Sequence, residues 1–203
     1  MQDAFSQLKI IVVAGTSSNS GKTTLVCDLL RHLSAHEPWE AIKLSRGHYR
    51  SCGKDPQACC VSGLLGEQAV IRSGRTETYT CGKDTGRFWD AGASNVHWVI
   101  ATDEQVDSGM RGALARVQTR GVIIEGTSVL RYLDPALAVM AVSDTEKNVK
   151  ASARWALQAN KLNALYVREA AMFSLSESLP RFTLSQCLEA IEGCAGDVAA
   201  DVV

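Results

Sequence analysis

The strongest constraint in this sequence is the stretch of residues 8–30, LKIIVVAGTSSNSGKTTLVCDLL. An apolar, β-rich run over residues 8–14 predicts a strand, and a Gly/Ser-rich turn follows it. Lys22 then opens a pattern that is typical of a helix. Because a strand, a tight glycine turn and a helix in this order are typical of a loop that wraps phosphates, the stretch predicts a phosphate-binding loop. The alternative is a Gly/Ser-rich turn that contains GKT by chance.

The residue types in the turn suit a polyphosphate. Two glycines let the backbone turn tightly with its N–H groups facing inward, and the amino end of the helix adds partial positive charge. Lys22 can reach the β- and γ-phosphates, and Thr23 can place its hydroxyl on Mg²⁺. The Walker A pattern GxxxxGK[ST] is met over residues 16–23, except that threonine replaces its first glycine. The predicted nucleotide-binding residues of the loop are Gly15, Thr16, Ser17, Ser18, Asn19, Ser20, Gly21, Lys22, Thr23 and Thr24.

The length of 203 residues favours a single α/β domain over residues 1–203, long enough to bury roughly 70% of its unfolded surface. With the predicted phosphate-binding loop, this is expected to be a single nucleotide-binding domain. A formal net charge of -1 does not suggest a nucleic-acid binder. Residues 1–7 are short and polar, unlike a signal peptide, and no apolar run approaches the roughly 18 residues of a membrane span. We therefore expect a cytoplasmic protein. The 7 cysteines, an odd number, argue against a complete disulfide framework.

Hydrophobic periodicity predicts alternating strands and helices along the chain. The predicted strands are residues 8–14, 39–44, 77–80, 95–101, 121–125, 137–142 and 162–167, and the predicted helices are residues 22–33, 61–72, 83–91, 104–117 and 146–159. One short helix is expected after residue 183, with a frayed tail over residues 195–203. This alternation predicts an α/β fold with a three-layer, doubly wound, mostly parallel sheet. Together with the phosphate-binding loop, it predicts the P-loop NTPase fold.

Residues 46–82 are interpreted as a basic insertion that contains cysteines. From residue 43 to residue 87 there are eight Lys or Arg against four Asp or Glu, which suits a phosphorylated ligand or, equally, a solvated surface. Four cysteines fall there, near His48: Cys52, Cys59, Cys60 and Cys81. Four thiolates suit zinc or an iron-sulfur cluster, but no CxxC pair is present, so reduced thiols without metal are the alternative.

Glu125 ends an apolar strand about a hundred residues after the loop. Its carboxylate is suited to hold Mg²⁺ opposite Thr23, so we predict Thr23 and Glu125 as magnesium ligands and Lys22 and Glu125 as the catalytic pair. His97, inside an apolar strand, is interpreted as a hydrogen-bonded core histidine, with catalysis as the alternative. Asp144 follows a strand, and its carboxylate could accept hydrogen bonds from a guanine edge.

Four segments together carry a family resemblance: AGTSSNSGKTTL at 14–25, AIK at 41–43, GKDTGRFWDAGAS at 82–94 and GVIIEG at 121–126. In this order they resemble the motifs of the molybdopterin-guanine dinucleotide biosynthesis protein B family, over roughly residues 8–145. The resemblance implies a dimeric GTP-binding P-loop protein, with Lys83 and Asp84 on the nucleotide face. It also implies a role as accessory to the step that joins a GMP unit to molybdopterin, with slow Mg²⁺-dependent hydrolysis.

Two other functions stay open at this stage. The loop spacing, a glycine followed by five residues and then GKT, is similar to that of dethiobiotin synthetase. That likeness implies an ATP-dependent synthetase or kinase whose basic residues hold an anionic small molecule. The third function is a metal-binding chaperone in which the cysteine group holds a metal and nucleotide state gates its delivery.

Overall fold

The computed structural model describes residues 5, 7–47, 61–142, 149–167 and 178–194. The strands in these ranges are β1 (Lys9–Gly15), β2 (Trp39–Arg46), β3 (Val70–Ser73), β4 (Asn95–Ala101), β5 (Gly121–Glu125), β6 (Leu137–Ala141), β7 (Ala164–Tyr166) and β8 (Arg181–Phe182). The α-helices are α1 (Lys22–Leu33), α2 (Arg75–Thr78), α3 (Asp84–Asp90), α4 (Val106–Leu114), α5 (Ala151–Gln158) and α6 (Leu184–Gly193). Short 3₁₀ turns lie at Ser62–Leu64, Asp103–Gln105 and Ser128–Arg131.

The strands form one sheet in the order β3-β4-β2-β5-β1-β6-β7-β8. Each neighbouring pair is parallel except β3 and β4, which are antiparallel. From β1 the chain builds strands on one side of the sheet and then, from β6, on the other. In doubly wound sheets, ligands bind at the carboxyl ends of the strands where this direction changes. The loop that leaves β1 lies at that point.

Helices cover both faces of the sheet. On one face α1, α3 and α6 pack through a core that includes Leu29, Phe88 and Ile191. On the other face α4 and α5 pack through a core that includes Met110 and Ala156. Because both faces are buried, the central strands read as continuous apolar runs rather than as alternating ones. The predicted three-layer, mostly parallel α/β architecture is confirmed.

Most predicted elements are confirmed with small shifts. The strands predicted at residues 95–101 and 121–125 have those bounds, and α1 begins and ends where its pattern indicates. The other predicted parallel strands differ at their ends by one or two residues. The helix predicted after residue 183 is α6, whereas the tail over residues 195–203 lies outside the described residues.

The helix predicted over residues 61–72 is wrong. The described chain has a 3₁₀ turn at Ser62–Leu64 and then β3, which pairs with β4. Gly63 and Gly66 interrupt the helical pattern. As a strand at the sheet edge, the segment packs Ile71 against the core, and this tertiary contact overrides the local pattern.

The strand predicted over residues 77–80 is also wrong, since α2 lies there. Glu77 Oε2 accepts a hydrogen bond of 3.0 Å from the Ser73 N–H, and the Thr78 hydroxyl donates one of 2.7 Å to the Gly74 carbonyl. These local bonds satisfy backbone groups without a neighbouring strand.

Two predicted helices are shorter than their patterns. The helix predicted over residues 104–117 starts as a 3₁₀ turn, because Thr102 and Gln105 form a capping box, and α4 ends at Leu114. The helix predicted over residues 146–159 is described from Ala151 onward, and residues 143–148 lie outside the described residues.

Candidate functional site

The loop between β1 and α1 is held to the segments on both sides of it. The Gly15 N–H donates to Thr127 Oγ1 at 3.0 Å, and the Thr16 N–H donates to the Ala141 carbonyl at 3.1 Å. The Thr16 carbonyl accepts from the Lys150 N–H at 2.8 Å. The loop is thus fixed against the segment after β5, the end of β6 and the start of α5.

The loop curls back because two of its residues are left-handed. Asn19 has φ 61° and Gly21, which precedes α1, has φ 88°. Glycine adopts this conformation without strain, and asparagine tolerates it better than most residues do. The turn brings Ser20 close to Gly15, where a Cβ at position 15 would lie 2.3 Å from Ser20 Oγ.

Lys22 lies across Gly15. A Cβ at Gly15 would also lie 2.6 Å from Lys22 Cδ, so only glycine leaves room for this lysine side chain. The Lys22 ammonium donates to the Ser17 carbonyl at 2.8 Å and to Ser20 Oγ at 3.3 Å. Burial lowers the pKa of Lys22 to about 8, partly offset by the nearby carboxylate of Glu125. A lysine with that pKa gains much from an anionic partner.

Thr23 and Glu125 lie in direct contact. The Thr23 hydroxyl donates a hydrogen bond of 2.9 Å to Glu125 Oε2, and Glu125 is only 2% exposed. The Thr23 hydroxyl also interacts with the carboxylate of Asp84. One hydroxyl and two carboxylates form a hard-oxygen donor set, and Mg²⁺ is typically held by one or two carboxylates plus substrate phosphates. The residues therefore fit a magnesium ion.

Lys43, which the sequence predictions did not assign to the site, joins the two carboxylates. Its ammonium contacts Asp84 Oδ2 at 2.7 Å and also Glu125 Oε1, and its side chain is 15% exposed. Burial lowers the pKa of Lys43, but the charges of Glu125 and Asp84 outweigh it and raise the pKa above its ordinary value. Burial likewise raises the pKa of Asp84, but Lys43 and the hydroxyl of Thr23 bring it below the usual range. A lysine inside a buried strand, between Ile42 and Leu44, is the signal that could have found it.

Asp84 reaches the site because α3 packs tightly against the chain before it. A Cβ at Gly86 would lie 2.0 Å from the Thr80 carbonyl oxygen, so α3 approaches that backbone as only glycine allows. Thr85 Oγ1 donates to the Thr78 carbonyl at 2.6 Å and fixes the same turn. Lys83, predicted on the nucleotide face beside Asp84, is exposed and lies outside the cleft lining.

A cleft of about 1300 Å³ opens beside the loop at the carboxyl ends of the central strands. Eight of the ten predicted loop residues line it, and the other two, Thr16 and Ser17, do not. The described charged residues of the lining are Lys22, Lys43, Arg46, Asp84, Arg87, Asp103, Glu125, Arg131 and Lys150. Six of these are cationic and three are carboxylates, so the cleft favours an anionic ligand.

Two of the arginines are held in place by neighbours. Arg87 Nη2 donates to Thr24 Oγ1 at 3.4 Å, which places its guanidinium beside the first turn of α1. Arg46, the last residue of β2, pairs at 2.6 Å with Asp103, which follows β4, the strand on the side of β2 away from β1. Cations therefore line the cleft both near the loop and away from it.

His97 is a core histidine, as predicted. It is 1% exposed, and its Nε2 lies 2.7 Å from Glu40 Oε2 while its Nδ1 lies 2.8 Å from Ser73 Oγ. Glu40 also accepts from the Gln118 and Thr119 N–H groups at 2.6 and 3.1 Å. This buried network lies outside the cleft lining.

Of the four cysteines predicted as metal ligands, one lies within the described residues. Cys81 is exposed, whereas Cys52, Cys59 and Cys60 lie outside the described residues, as do His48 and Asp144. In the described part of the chain, no group of three or more His, Cys, Asp or Glu side chains is arranged to hold a metal. The zinc or iron-sulfur hypothesis stays a prediction.

The fold and the loop together define the class of this protein. A glycine loop between a central parallel strand and a helix, with a carboxylate from the adjacent strand beside the loop lysine and threonine, is the P-loop nucleotide-binding fold. No protein-family model and no curated protein matches the chain. It is similar in structure to the apo form of LpxK from Aquifex aeolicus in complex with ATP, with 19% sequence identity and a TM-score of 0.48. The match covers 87% of this chain and 53% of that one, so this chain spans about half the length of that structure.

Within the described ranges, each helix is too short or too polar for a bilayer crossing.

Proposed function

We propose that this protein binds a nucleoside triphosphate with Mg²⁺ in the loop between β1 and α1 and slowly transfers its γ-phosphoryl group to water. The observation that carries the proposal is the contact of Thr23 with Glu125 beside Lys22. That contact joins the loop to a carboxylate that would help to hold Mg²⁺ beside the bound phosphates.

In this proposal the residues act by position and charge. Loop N–H groups and Lys22 would hold the phosphates, while Thr23, Glu125 and Asp84 would hold the metal. When bound, Mg²⁺ supplies charge neutralisation on the phosphoryl oxygens. Water attacks the γ-phosphorus in line, and a new P–O bond forms as the bond from that phosphorus to the oxygen that bridges to the β-phosphate breaks. Nucleoside diphosphate and inorganic phosphate leave, and the proton that the attacking water loses passes to solvent. Glu125 is buried, so its charge acts in surroundings where water screens it little.

The finer form of the proposal takes GTP as the nucleotide, a homodimer as the working unit and the cytoplasm as its location. It assigns the protein an accessory role in attaching GMP to molybdopterin. The support for this form is the order of the SGKTTL, IK, KDT, AGA and EG motifs along the sequence. The charged residues at the cleft also suit such an anionic cofactor.

Nucleotide binding is the decisive test. Isothermal titration with GTP and with ATP, each with and without Mg²⁺, is compared between the wild type and Lys22→Ala. Lys161→Ala is the matched control, since Lys161 pairs with Asp134 away from the cleft. We expect Mg²⁺-dependent binding that Lys22→Ala abolishes and Lys161→Ala preserves. Wild-type protein that binds neither nucleotide would end the proposal.

A second candidate function is supported by the extent of the cleft. The cleft has a volume of about 1300 Å³, and its lining also includes Arg46 and Arg131, which provides room and positive charge for an acidic small molecule. An ATP-dependent synthetase or kinase that phosphorylates a carboxylate uses such a second site. Tighter binding of ATP than of GTP would favour this function. So would phosphate release that rises when aliphatic dicarboxylates are added.

A further inference from the structure

The ammonium of Lys43 uses the same carboxylates that a divalent cation requires. It contacts Asp84 Oδ2 at 2.7 Å and Glu125 Oε1, while the other oxygen of Glu125 accepts from Thr23. Both carboxylates thus have a cationic partner supplied by the chain itself. Glu125 is 2% exposed, so its pairing with Lys43 is shielded from the screening that weakens surface ion pairs, whereas the side chain of Asp84 is 43% exposed.

An ammonium and a divalent cation cannot share these oxygens at contact distance without strong repulsion in a half-buried site. A metal that arrives alone must therefore displace Lys43 and leave its charge without a partner. A metal that arrives with a triphosphate brings anionic oxygens that can accept the displaced ammonium. Because of the Lys43 side chain, binding of the metal alone is therefore less favourable than binding of the metal together with a triphosphate.

We propose that Lys43 is a positioning residue that holds Asp84 and Glu125 in place and excludes a divalent cation until a polyphosphate arrives with it. This inference rests on the proposed function, because it assumes that the same oxygens later hold the metal of a metal–nucleotide complex. Its consequence is coupled binding: the metal and the nucleotide enter together.

Lys22 provides a matched comparison within the same cleft. It is also a partly buried lysine near Glu125, but its ammonium donates to Ser17 and Ser20 of the loop. Removing either lysine deletes one positive charge from the cleft. Only the removal of Lys43 frees the oxygens of both carboxylates.

The test is a titration with Mn²⁺ alone, in which electron paramagnetic resonance measures the free Mn²⁺. It compares the full-length wild type with Lys43→Met, Lys43→Arg and Lys22→Met. We expect Lys43→Met to bind Mn²⁺ without nucleotide at least about tenfold more tightly than the wild type. The reason is that Mn²⁺ no longer has to displace an ammonium from the carboxylates that would bind it. The Mn²⁺ affinity of Lys43→Arg, which keeps the charge, should stay near that of the wild type. Lys22→Met should gain much less Mn²⁺ affinity than Lys43→Met.

The proposal is overturned if Lys43→Met binds Mn²⁺ no more tightly than the wild type, or if Lys22→Met gains as much affinity as Lys43→Met. If thermal melting shows that Lys43→Met is unfolded, Lys43→Gln replaces it, with the same expectations.

Adding Glu125→Gln to Lys43→Met should abolish the gain in Mn²⁺ affinity. A gain that persists would place the metal elsewhere and also overturn the proposal. The proposed function is tested separately by a titration with nucleotide present, and it is refuted if the wild type does not bind Mn²⁺ there. The titration without nucleotide would still decide the role of Lys43.

Discussion

The hydroxyl of Thr23 donates a hydrogen bond of 2.9 Å to Glu125, although the two residues lie 102 positions apart in the chain. The sheet explains the contact. Strands β1 and β5 are adjacent and parallel, with Val13 and Glu125 paired in register, so the end of β5 lies beside the start of the loop. Two residues that share no local sequence context are therefore brought together where we propose that Mg²⁺ binds, and their substitution gives the most direct test of that proposal.

Replacing Glu125 with Gln should weaken Mg²⁺-dependent nucleotide binding by about tenfold or more, because a neutral amide is a poorer magnesium ligand than a carboxylate. Binding without Mg²⁺ should change much less. Titration calorimetry with and without the metal measures both. Glu189→Gln, an exposed change on α6 outside the cleft lining, is the control. Equal losses with and without Mg²⁺ would contradict a metal role for Glu125.

Nucleotide affinity should fall as the pH rises through about 8, the lowered pKa of Lys22. The phosphates bind the ammonium form, so above this pH each binding event must take up a proton, and the affinity decreases with pH. Calorimetry in two buffers of different ionisation enthalpy measures that uptake. In Lys22→Arg the side chain stays charged, so any remaining binding should take up no proton at this site. A wild-type affinity that is flat across the alkaline range would refute the assignment.

Gly15→Ala should abolish nucleotide binding and leave the fold intact. The new methyl group would lie 2.3 Å from Ser20 Oγ and 2.6 Å from Lys22 Cδ, so the lysine must leave its present path. Gly193→Ala, where a methyl group meets nothing within 4 Å, is the control and should bind as the wild type does. Circular dichroism checks the fold and titration checks the binding. Normal affinity in Gly15→Ala would mean that Lys22 does not need this path.

Glu40→Gln should destabilise the fold by about 1–3 kcal/mol near neutral pH, since it removes a buried charged acceptor. Burial raises the pKa of Glu40, but hydrogen bonds from His97 and from the Gln118 N–H outweigh it and lower the pKa below the ordinary value. The stabilisation is therefore complete above the ordinary glutamate pKa and is lost as the pH falls through the lower folded value. Urea unfolding should show a wild-type advantage near neutrality that shrinks in acid. An advantage independent of pH would contradict the charge argument.

The parts of this molecule that local patterns encode could be predicted from the sequence. The strand, turn and helix that form the loop follow from apolar runs and glycine placement. Glu125 could be placed because the carboxyl ends of parallel strands meet at one edge of the sheet. The errors fall at residues 61–80, where an edge position against β4 and local side-chain bonds decide between helix and strand. Such tertiary contacts leave little trace in the pattern.

Lys43 could be predicted as one of the basic residues that suit an anionic ligand, but its pairing with Glu125 and Asp84 could not, nor could Lys83 be distinguished from Asp84. Lys43 faces Glu125 only because β2 lies next to β5, with these two residues paired in register. Strand order is a property of the whole chain and not of the segment around Lys43. Lys83 and Asp84 are adjacent in sequence, and the start of α3 between them exposes the first and turns the second to the cleft. Their chemistry alone does not distinguish them.

Gly86 shows how a residue without functional groups can govern such a site. Helix α3 approaches the Thr80 carbonyl so closely that an added methyl group would lie 2.0 Å from its oxygen. Any side chain there would lift the helix and carry Asp84 away from Lys43. In a scan of all substitutions, this glycine should tolerate as little change as the carboxylates themselves. Loss of function on substitution at position 86 would then reflect the close approach of α3 to the Thr80 backbone and not a role in the chemistry. A redesign of the cleft should therefore leave α3 unchanged.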